Sequence, residues 1–159
     1  MKKILQISLI VFTVSLLAGC KKQDFATASF RCKVDGKEYI GAKDLTTANF
    51  YTPSRIRIRT TKVKNIFKAG DPYGEMELDF SYDPANVSAP VALTTSVFYY
   101  GNNGGKTLRS SATNPGVLNI TSLDLSTSKV TGTFSLTAYD DDGGTKQITE
   151  GGFDLTLEQ

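Results

Sequence analysis

The chain has few residues suited to catalytic chemistry, because its 159 residues include two cysteines and no histidine. The lack of histidine excludes Ser-His-Asp and Cys-His nucleophile systems and any zinc or copper site with histidine ligands. The two thiols, Cys20 and Cys32, are too few for a four-cysteine metal site. Cys32 alternates with Phe30 and Val34, and this pattern predicts a buried structural thiol rather than a reactive one.

Cys20 stands at the end of an apolar leader. Residues 1–3 (Met-Lys-Lys) are a short basic start, and residues 4–18 form an apolar run that is short for a membrane span. The sequence Leu-Ala-Gly-Cys at 17–20 resembles the lipobox of bacterial lipoproteins. This resemblance implies a diacylglycerol thioether on Cys20, cleavage before it and N-acylation of the new amino terminus. The alternative is an uncleaved membrane helix with an incidental cysteine.

The leader divides the chain into three parts: a signal peptide at 1–19, a lipidated tether at 20–28 and one folded domain at 29–159. Removing residues 1–19 leaves 140 residues, enough for a single domain with a sizeable core. The leader also takes away two lysines, so the formal net charge falls from +2 to 0. This charge leaves no basic excess for nucleic acid, and the lipid anchor is the predicted contact with a membrane.

The folded part is predicted to be all-β, because apolar and polar residues alternate with period two between Gly, Asn and Asp turns. We expect a single antiparallel β-sandwich of roughly eight to ten strands, with a flattened lipocalin-like barrel as the alternative. The clearest hairpin signal is Asp-Gly at 35–36, between predicted strands at 30–34 and 37–40. A third strand is predicted at 45–50.

Two further predicted strands carry opposite charges on their outward faces. Three arginines alternate in residues 55–59, and the acids Glu75, Glu77 and Asp79 alternate in residues 75–82. This pattern predicts a cross-strand charge ladder, which sets strand register more than stability. The same acids, together with Asp83, suggest a glycosidase carboxylate pair. That chemistry needs one acid with a raised pKa, however, and arginine neighbours lower the pKa.

The last two predicted strands, at 129–139 and 145–157, combine glycines with aromatic residues. Gly132 lies on the inward face of its strand, where a ring such as that of Phe153 would cover the missing side chain. The pair Gly-Gly at 151–152 interrupts the final strand, as a β-bulge would.

Three stretches resemble a domain-of-unknown-function family of Gram-negative envelope lipoproteins. They are residues 30–39 with a Val-Asp-Gly-Lys turn, residues 123–138 with Gly-Thr-Phe, and residues 148–153 with Glu-Gly-Gly-Phe. The resemblance implies an all-β, lipid-anchored envelope domain. It implies no activity and no catalytic residues.

Two further groups of residues are candidate sites. Asp140 and Asp142, in an Asp-Asp-Asp-Gly-Gly run, have oxygen atoms that suit calcium, although the spacing is not that of an EF-hand and an acidic hairpin turn explains the run more simply. Tyr99 and Tyr100 cannot both face the core, so one of them, with Asn102 and Asn103, suggests a sugar- or peptide-binding patch. The alternative is that these tyrosines are ordinary strand residues.

The sequence therefore predicts a lipid-anchored cell-envelope protein that binds or scaffolds and is not an enzyme. The alternatives are a carrier or sensor of an apolar ligand inside a barrel, and a glycan-active enzyme. No cofactor is predicted, and the expected partner is a glycan or an envelope protein. Lys21 rather than aspartate follows Cys20, which favours the outer membrane, and residues 21–24 contain one acid, which favours the periplasmic leaflet over the cell surface.

Overall fold

The computed structural model describes residues 25–63, 72–100 and 105–158. The predicted signal peptide and Cys20 lie outside these residues. Within the predicted tether at 20–28, residues 25–27 form a short 3₁₀ helix and Ala28 is buried. In these three ranges, no helix is long and apolar enough to cross a membrane.

The described chain is built from strands, which confirms the predicted all-β class. The strands are β1 (Phe30–Val34), β2 (Lys37–Ile40), β3 (Thr47–Thr52), β4 (Arg55–Lys62), β5 (Gly74–Ser81), β6 (Val91–Leu93), β7 (Val97–Tyr100), β8 (Lys106–Arg109), β9 (Gly116–Asp124), β10 (Lys129–Tyr139) and β11 (Thr145–Glu158). A second 3₁₀ helix spans Lys43–Leu45, so β3 begins later than the predicted strand at 45–50. The described ranges hold eleven strands, whereas the sequence predicted roughly eight to ten. The strands β6 and β8 were not predicted, because they have only three and four residues and show too little alternation.

The strands form one sheet that closes on itself. The order is β2-β1-β11-β3-β4-β5-β7-β8-β10-β9-β6, and a further pairing between β10 and β11 joins seven of these strands into a ring. The β1–β2 and β9–β6 pairs extend from this ring. A closed ring of strands agrees with the flattened-barrel alternative as well as with a sandwich whose two layers share strands.

One strand pairing is parallel, whereas the sequence predicted antiparallel pairing throughout. β11 pairs with β1 only between Ile148 and Phe153, so the end of β11 lacks a partner on that side. β3 takes that place in parallel orientation, with Leu157 opposite Ala48. The sheet is therefore mixed, and along one side the long β11 pairs first with β1 and then with β3.

The ring encloses one core of buried side chains. Its aromatic members touch one another: the Phe30 and Phe134 ring centroids are 5.4 Å apart, and those of Tyr39 and Phe98 are 5.9 Å apart. Cys32 is fully buried among them, as predicted, and burial raises the pKa of its thiol. The inward positions of the strands are thus filled by the protein's own side chains.

The β1–β2 hairpin turns where the sequence predicted. Asp35 and Gly36 have φ angles of 49° and 77°, as a two-residue turn between twisted strands requires. The Asp35 carboxylate accepts hydrogen bonds from Lys146 Nζ at 2.6 Å and from the Gln147 amide at 3.0 Å. These bonds tie the turn to β11.

Glycines and rings fit together between β10 and β11, as predicted. Gly132 lies opposite Phe153, and a Cβ atom at Gly132 would lie 2.4 Å from Phe153 Cζ. The predicted bulge is also present, with Phe134 opposite Gly151 and Leu136 opposite Ile148. Residues 149 and 150 of β11 thus stand opposite the single residue 135 of β10, immediately before the glycine pair. We call this contact region between β10 and β11 the glycine–aromatic seam.

Candidate functional site

The predicted charge ladder joins the outer faces of β4 and β5. Arg57 lies opposite Asp79 and Arg59 opposite Glu77 in the strand register. Asp79 binds two arginines: Arg55 Nε is 2.7 Å from Asp79 Oδ1, and Arg57 Nη2 is 2.9 Å from Asp79 Oδ2. Arg59 Nε donates to Glu77. The outward alternation read from the sequence is therefore confirmed.

Asp79 is the most enclosed acid of this ladder, with 6% of its side chain exposed. Burial alone would raise the pKa of Asp79, but hydrogen bonds and charges from Arg55 and Arg57 outweigh it and hold that pKa below the ordinary value. Glu75, the third predicted acid, lies opposite Thr61 instead of an arginine. The ladder thus centres on one ionised carboxylate shared by two guanidinium groups.

Tyr51, at the end of β3, packs on the same arginines. Its ring centroid is 4.5 Å from Arg57 Cζ and 5.1 Å from Arg55 Cζ, within cation–π distance. The tyrosine itself is 59% exposed. The ring and the shared carboxylate together hold the two arginines in fixed positions on the surface.

A cleft of about 550 Å³ opens beside this cluster, and we call it the edge cleft. Its polar lining comes from Arg55, Asp79, Ser81, Asp83, Thr94 and Thr95. Its apolar lining comes from Phe80, Ala89, Pro90, Val91 and Ala92. The volume lies within the range of small-molecule and peptide sites, and the mixture of hydroxyl, charged and small apolar groups suits a polar ligand with an apolar side.

The edge cleft exists because β5 is longer than its neighbour β7. β5 pairs with β4 as far as Ser81, but it pairs with β7 only up to Glu77, which lies opposite Val97. Residues 94–96 connect β6 to Val97, the first residue of β7. The strand β6 does not pair with β5 but with β9. The last residues of β5 and the strand β6 therefore border a gap in the wall of the ring.

The predicted calcium candidates form a hairpin turn with a lysine beside it. Lys106 Nζ lies 3.0 Å from an oxygen of Asp140 and 3.2 Å from one of Asp142. Asp140 also accepts hydrogen bonds from the backbone amides of Asp142 and Gly144. Lys106 and these amides lower the pKa of Asp140. Within the described ranges, no three acid or thiol side chains converge as metal ligands, and the geometry matches the acidic-turn interpretation.

The other predicted patch lies at the end of β7. The backbone of Tyr99 lies opposite Glu75 and Thr107, and that of Tyr100 lies opposite Gly74 and Lys106. Both tyrosines are therefore in a central strand of the ring. Asn102 and Asn103 lie outside the described residues, so the sugar- or peptide-binding patch stays a prediction.

Sequence reasoning missed the edge cleft and the packing of Tyr51. The cleft depends on β6, a strand of three residues that gives no alternation signal. It also depends on the point along β5 at which pairing with β7 ends while pairing with β4 continues. A signal for Tyr51 was present, since a tyrosine followed by a turn and an Arg-x-Arg strand places a ring near two guanidinium groups.

Comparison with protein-family models, with curated proteins and with solved structures finds no match to this chain. The resemblance to envelope lipoproteins therefore stays a prediction from the residues that suggest it. The features of this chain that bear on its function are the leader, the ladder around Asp79 and the edge cleft.

Proposed function

We propose that the protein is a lipid-anchored protein of the cell envelope whose β domain binds or scaffolds a partner without catalysing a reaction. The observation that carries this proposal is the apolar leader that ends in Leu-Ala-Gly-Cys at 17–20. The first strand begins at Phe30, so a short segment separates the lipid site from the folded domain. An acylated Cys20 would hold the domain close to the membrane surface.

We place the anchor in the outer membrane, with the periplasmic leaflet favoured over the cell surface. Lys21 follows Cys20 where an inner-membrane retention signal would have aspartate. The four residues 21–24 contain a single acid, which is a poor match to acidic surface-export signals. The partner in this compartment is a glycan or another envelope protein.

The state of the acids supports binding over catalysis. A glycan-active enzyme needs a carboxylic acid with a raised pKa. The described carboxylates whose pKa is shifted by their surroundings have a lowered pKa instead, and these residues are Asp35, Asp79, Asp124 and Asp140. Acids held in the ionised form accept hydrogen bonds from a ligand but do not donate a proton to it.

The filled core argues against the alternative of an apolar-ligand carrier. Such a carrier needs an interior that its own side chains do not fill. Here the inward faces of the strands are occupied by buried aromatic and aliphatic side chains in one cluster. The edge cleft, in contrast, opens at the surface and has charged groups in its lining.

The anchor is tested by metabolic labelling of the full chain in a Gram-negative host with an alkyne analogue of palmitate. We expect label on the wild-type protein and on Cys32→Ala, and recovery of both in the membrane fraction. Cys20→Ser should lose the label. A labelled Cys20→Ser variant, or an unlabelled wild-type protein, would contradict the proposal.

The leaflet is tested separately by adding a protease to intact cells. A periplasmic domain should survive in intact cells and be degraded once the outer membrane is permeabilised. Degradation in intact cells would place the domain on the cell surface.

A further inference from the structure

We propose that a pocket at the start of the folded domain binds the phosphoethanolamine headgroup of a membrane lipid. This second membrane contact rests on the proposed lipid anchor, and it adds a site and a class of lipid to that function. The pocket has a volume of about 360 Å³, and we call it the tether pocket. Its polar lining includes the side chains of Arg31, Thr121, Thr131, Thr133 and Asp154.

Three neighbouring strands bring the charged residues of the tether pocket together around a glycine. Gly152 of β11 lies opposite Thr133 of β10 on one side and opposite Arg31 of β1 on the other. Asp154 follows Gly152 by two residues, so both lie on the outer face of β11. Because Gly152 has no side chain, the Arg31 guanidinium lies flat over it: an added Cβ atom would be 3.1 Å from Arg31 Cζ and 3.2 Å from Nη2.

The Arg31 guanidinium has donors that the described fold does not use. Its Nη1 donates to the Ala28 carbonyl oxygen at 3.1 Å, and the side chain is half-buried. Among the described residues, no carboxylate forms an ion pair with Arg31. The N–H donors of a guanidinium lie in its plane, so the remaining ones point along the sheet surface. Such an arginine suits an anion with several acceptor oxygens, as a phosphate has.

Threonine hydroxyl groups supply further donors in the tether pocket. Thr121 Oγ1 and Thr131 Oγ1 are hydrogen-bonded to each other at 2.9 Å. That bond uses the hydrogen of one hydroxyl group and leaves the hydrogen of the other for a ligand. Thr133 is exposed on the same face of β10. The lining therefore suits an oxygen-rich group beside the guanidinium.

The Asp154 carboxylate gives the pocket a second charge of opposite sign. It is exposed, and within the described ranges it forms no ion pair and its side chain accepts no hydrogen bond. A simple anion beside Arg31 would be repelled by this carboxylate. A ligand that carries an ammonium group next to its phosphate would satisfy both charges, with the phosphate at Arg31 and the ammonium group at Asp154. Phosphoethanolamine has these two groups.

The position of the tether pocket along the chain points to a lipid as the source of that headgroup. Thr27 and Ala28 form part of the lining, and Thr27 lies seven residues after Cys20. A segment of seven residues spans at most about 25 Å. An acylated Cys20 would therefore keep the pocket within reach of the headgroup layer. A water-soluble phosphoethanolamine has the same chemistry, and the experiments separate the two sources.

The first experiment tests the ligand class with soluble probes. The full chain, purified in a maltoside detergent and phosphate-free buffer, is titrated with phosphoethanolamine, glycerol phosphate, ethanolamine or alanine, and amide NMR shifts report binding. Each of the last three probes lacks the phosphate or the ammonium group, so phosphoethanolamine should bind about tenfold more tightly than any of them. The amides of Thr133 and Gly152 should shift most. Equal binding of glycerol phosphate, or tighter binding of alanine, would overturn the proposal.

Matched variants locate the site. Arg31→Gln should weaken phosphoethanolamine binding about tenfold, whereas Lys33→Gln should weaken it less than about twofold. Lys33 also lies on the outer face of β1, but it pairs with Glu150 at 2.7 Å and is not part of the lining. Equal affinities of Arg31→Gln and Lys33→Gln would overturn the site.

A second pair of variants tests the ammonium position. Asp154→Asn should remove the preference for phosphoethanolamine over glycerol phosphate, and Glu158→Gln, an exposed acid further along β11, should keep it. Both positions are exposed, so this pair also decides the question if Arg31→Gln fails to fold. A preference that survives in Asp154→Asn would contradict the assigned role of Asp154.

The second experiment distinguishes a lipid headgroup from a free ligand. The acylated full chain is placed in vesicles of phosphatidylglycerol, with or without phosphatidylethanolamine, and a water-soluble maleimide labels an introduced thiol. Thr156→Cys, beside Asp154 on the outer face of β11, should react severalfold more slowly when phosphatidylethanolamine is present. Thr145→Cys, at the other end of β11, should react equally in both vesicles. Equal rates for Thr156→Cys in the two vesicles would exclude the lipid as the occupant.

The anchor and the tether pocket can fail independently. The soluble titration does not require the anchor, so the full chain with Cys20→Ser should bind phosphoethanolamine with unchanged affinity. Absence of palmitate label from the wild-type protein, with phosphoethanolamine binding intact, would refute the anchor alone. A labelled protein that does not bind phosphoethanolamine would refute the tether pocket alone.

Discussion

Two regions of the ring hold neighbouring strands in register by different means. On β4 and β5, the arginines 55 and 57 share the Asp79 carboxylate on the outer face of the sheet. In the glycine–aromatic seam of β10 and β11, the Phe153 ring lies over Gly132. The first region is polar and borders the edge cleft, whereas the second is closely packed and has no room for an added methyl group. The first is therefore suited to binding a ligand, and the second to maintaining the fold.

The largest effect is expected in the seam. In Gly132→Ala the new Cβ atom would lie 2.4 Å from Phe153 Cζ and 2.7 Å from the Asn119 carbonyl oxygen. Since one of these atoms belongs to the backbone, the strands must move apart, and we expect a loss of about 3 kcal/mol in the free energy of unfolding. Urea denaturation followed by circular dichroism measures this loss.

The matched control is Thr133→Ala, an exposed position on the same strand, which should cost less than about 1 kcal/mol. Combining Gly132→Ala with Phe153→Leu should recover part of the loss of the single glycine variant, because the ring no longer meets the added methyl group. Equal stability of Gly132→Ala and the wild-type protein would contradict the assignment of the seam as the closely packed region that maintains the fold.

A smaller effect is expected in the ladder. Asp79→Asn removes the charge shared by Arg55 and Arg57 but keeps a polar side chain of the same shape, and both arginines remain partly open to solvent. We expect a loss of about 1–2 kcal/mol in the free energy of unfolding. Glu77→Gln, which affects a more exposed acid, should cost less. A larger loss for Glu77→Gln than for Asp79→Asn would contradict the central position of Asp79.

The pH dependence of stability should also reveal the contribution of the Asp79 carboxylate. The pKa of Asp79 in the folded protein lies below its ordinary value, so its contribution is present above the ordinary pKa and is lost as the pH falls through the folded-state pKa. The difference in unfolding free energy between the wild-type protein and Asp79→Asn should therefore shrink below about pH 4. Urea denaturation at several pH values measures it, and a difference that grows on acidification would contradict the assigned ion pairs.

The ladder and the seam could both be predicted from the sequence, but from different signals. The β1–β2 hairpin and the bounds of β10 follow from local patterns, namely Asp-Gly between two alternating runs and one long alternation. The charge ladder could be predicted because the charges alternate along each strand. The overlap of Gly132 and Phe153 could be predicted because a glycine on an inward face needs a neighbour that fills its space.

Other features were not accessible from the sequence, because they depend on contacts between distant segments. The parallel pairing of β3 with the end of β11 joins opposite parts of the chain. β8 begins at Lys106, next to a stretch whose glycines and asparagines are typical of a loop. The edge cleft results from the point at which β7 leaves β5, and no local pattern of residues marks that point.

Above all, we propose that Cys20 becomes the acylated amino terminus of an envelope protein. The most direct test is the intact mass of the full chain after expression in a Gram-negative host and extraction from its membranes. We predict a chain that begins at Cys20 and carries the added mass of a diacylglycerol group and one further acyl chain. A chain that still begins at Met1, or one that begins at Cys20 without added lipid, would contradict it.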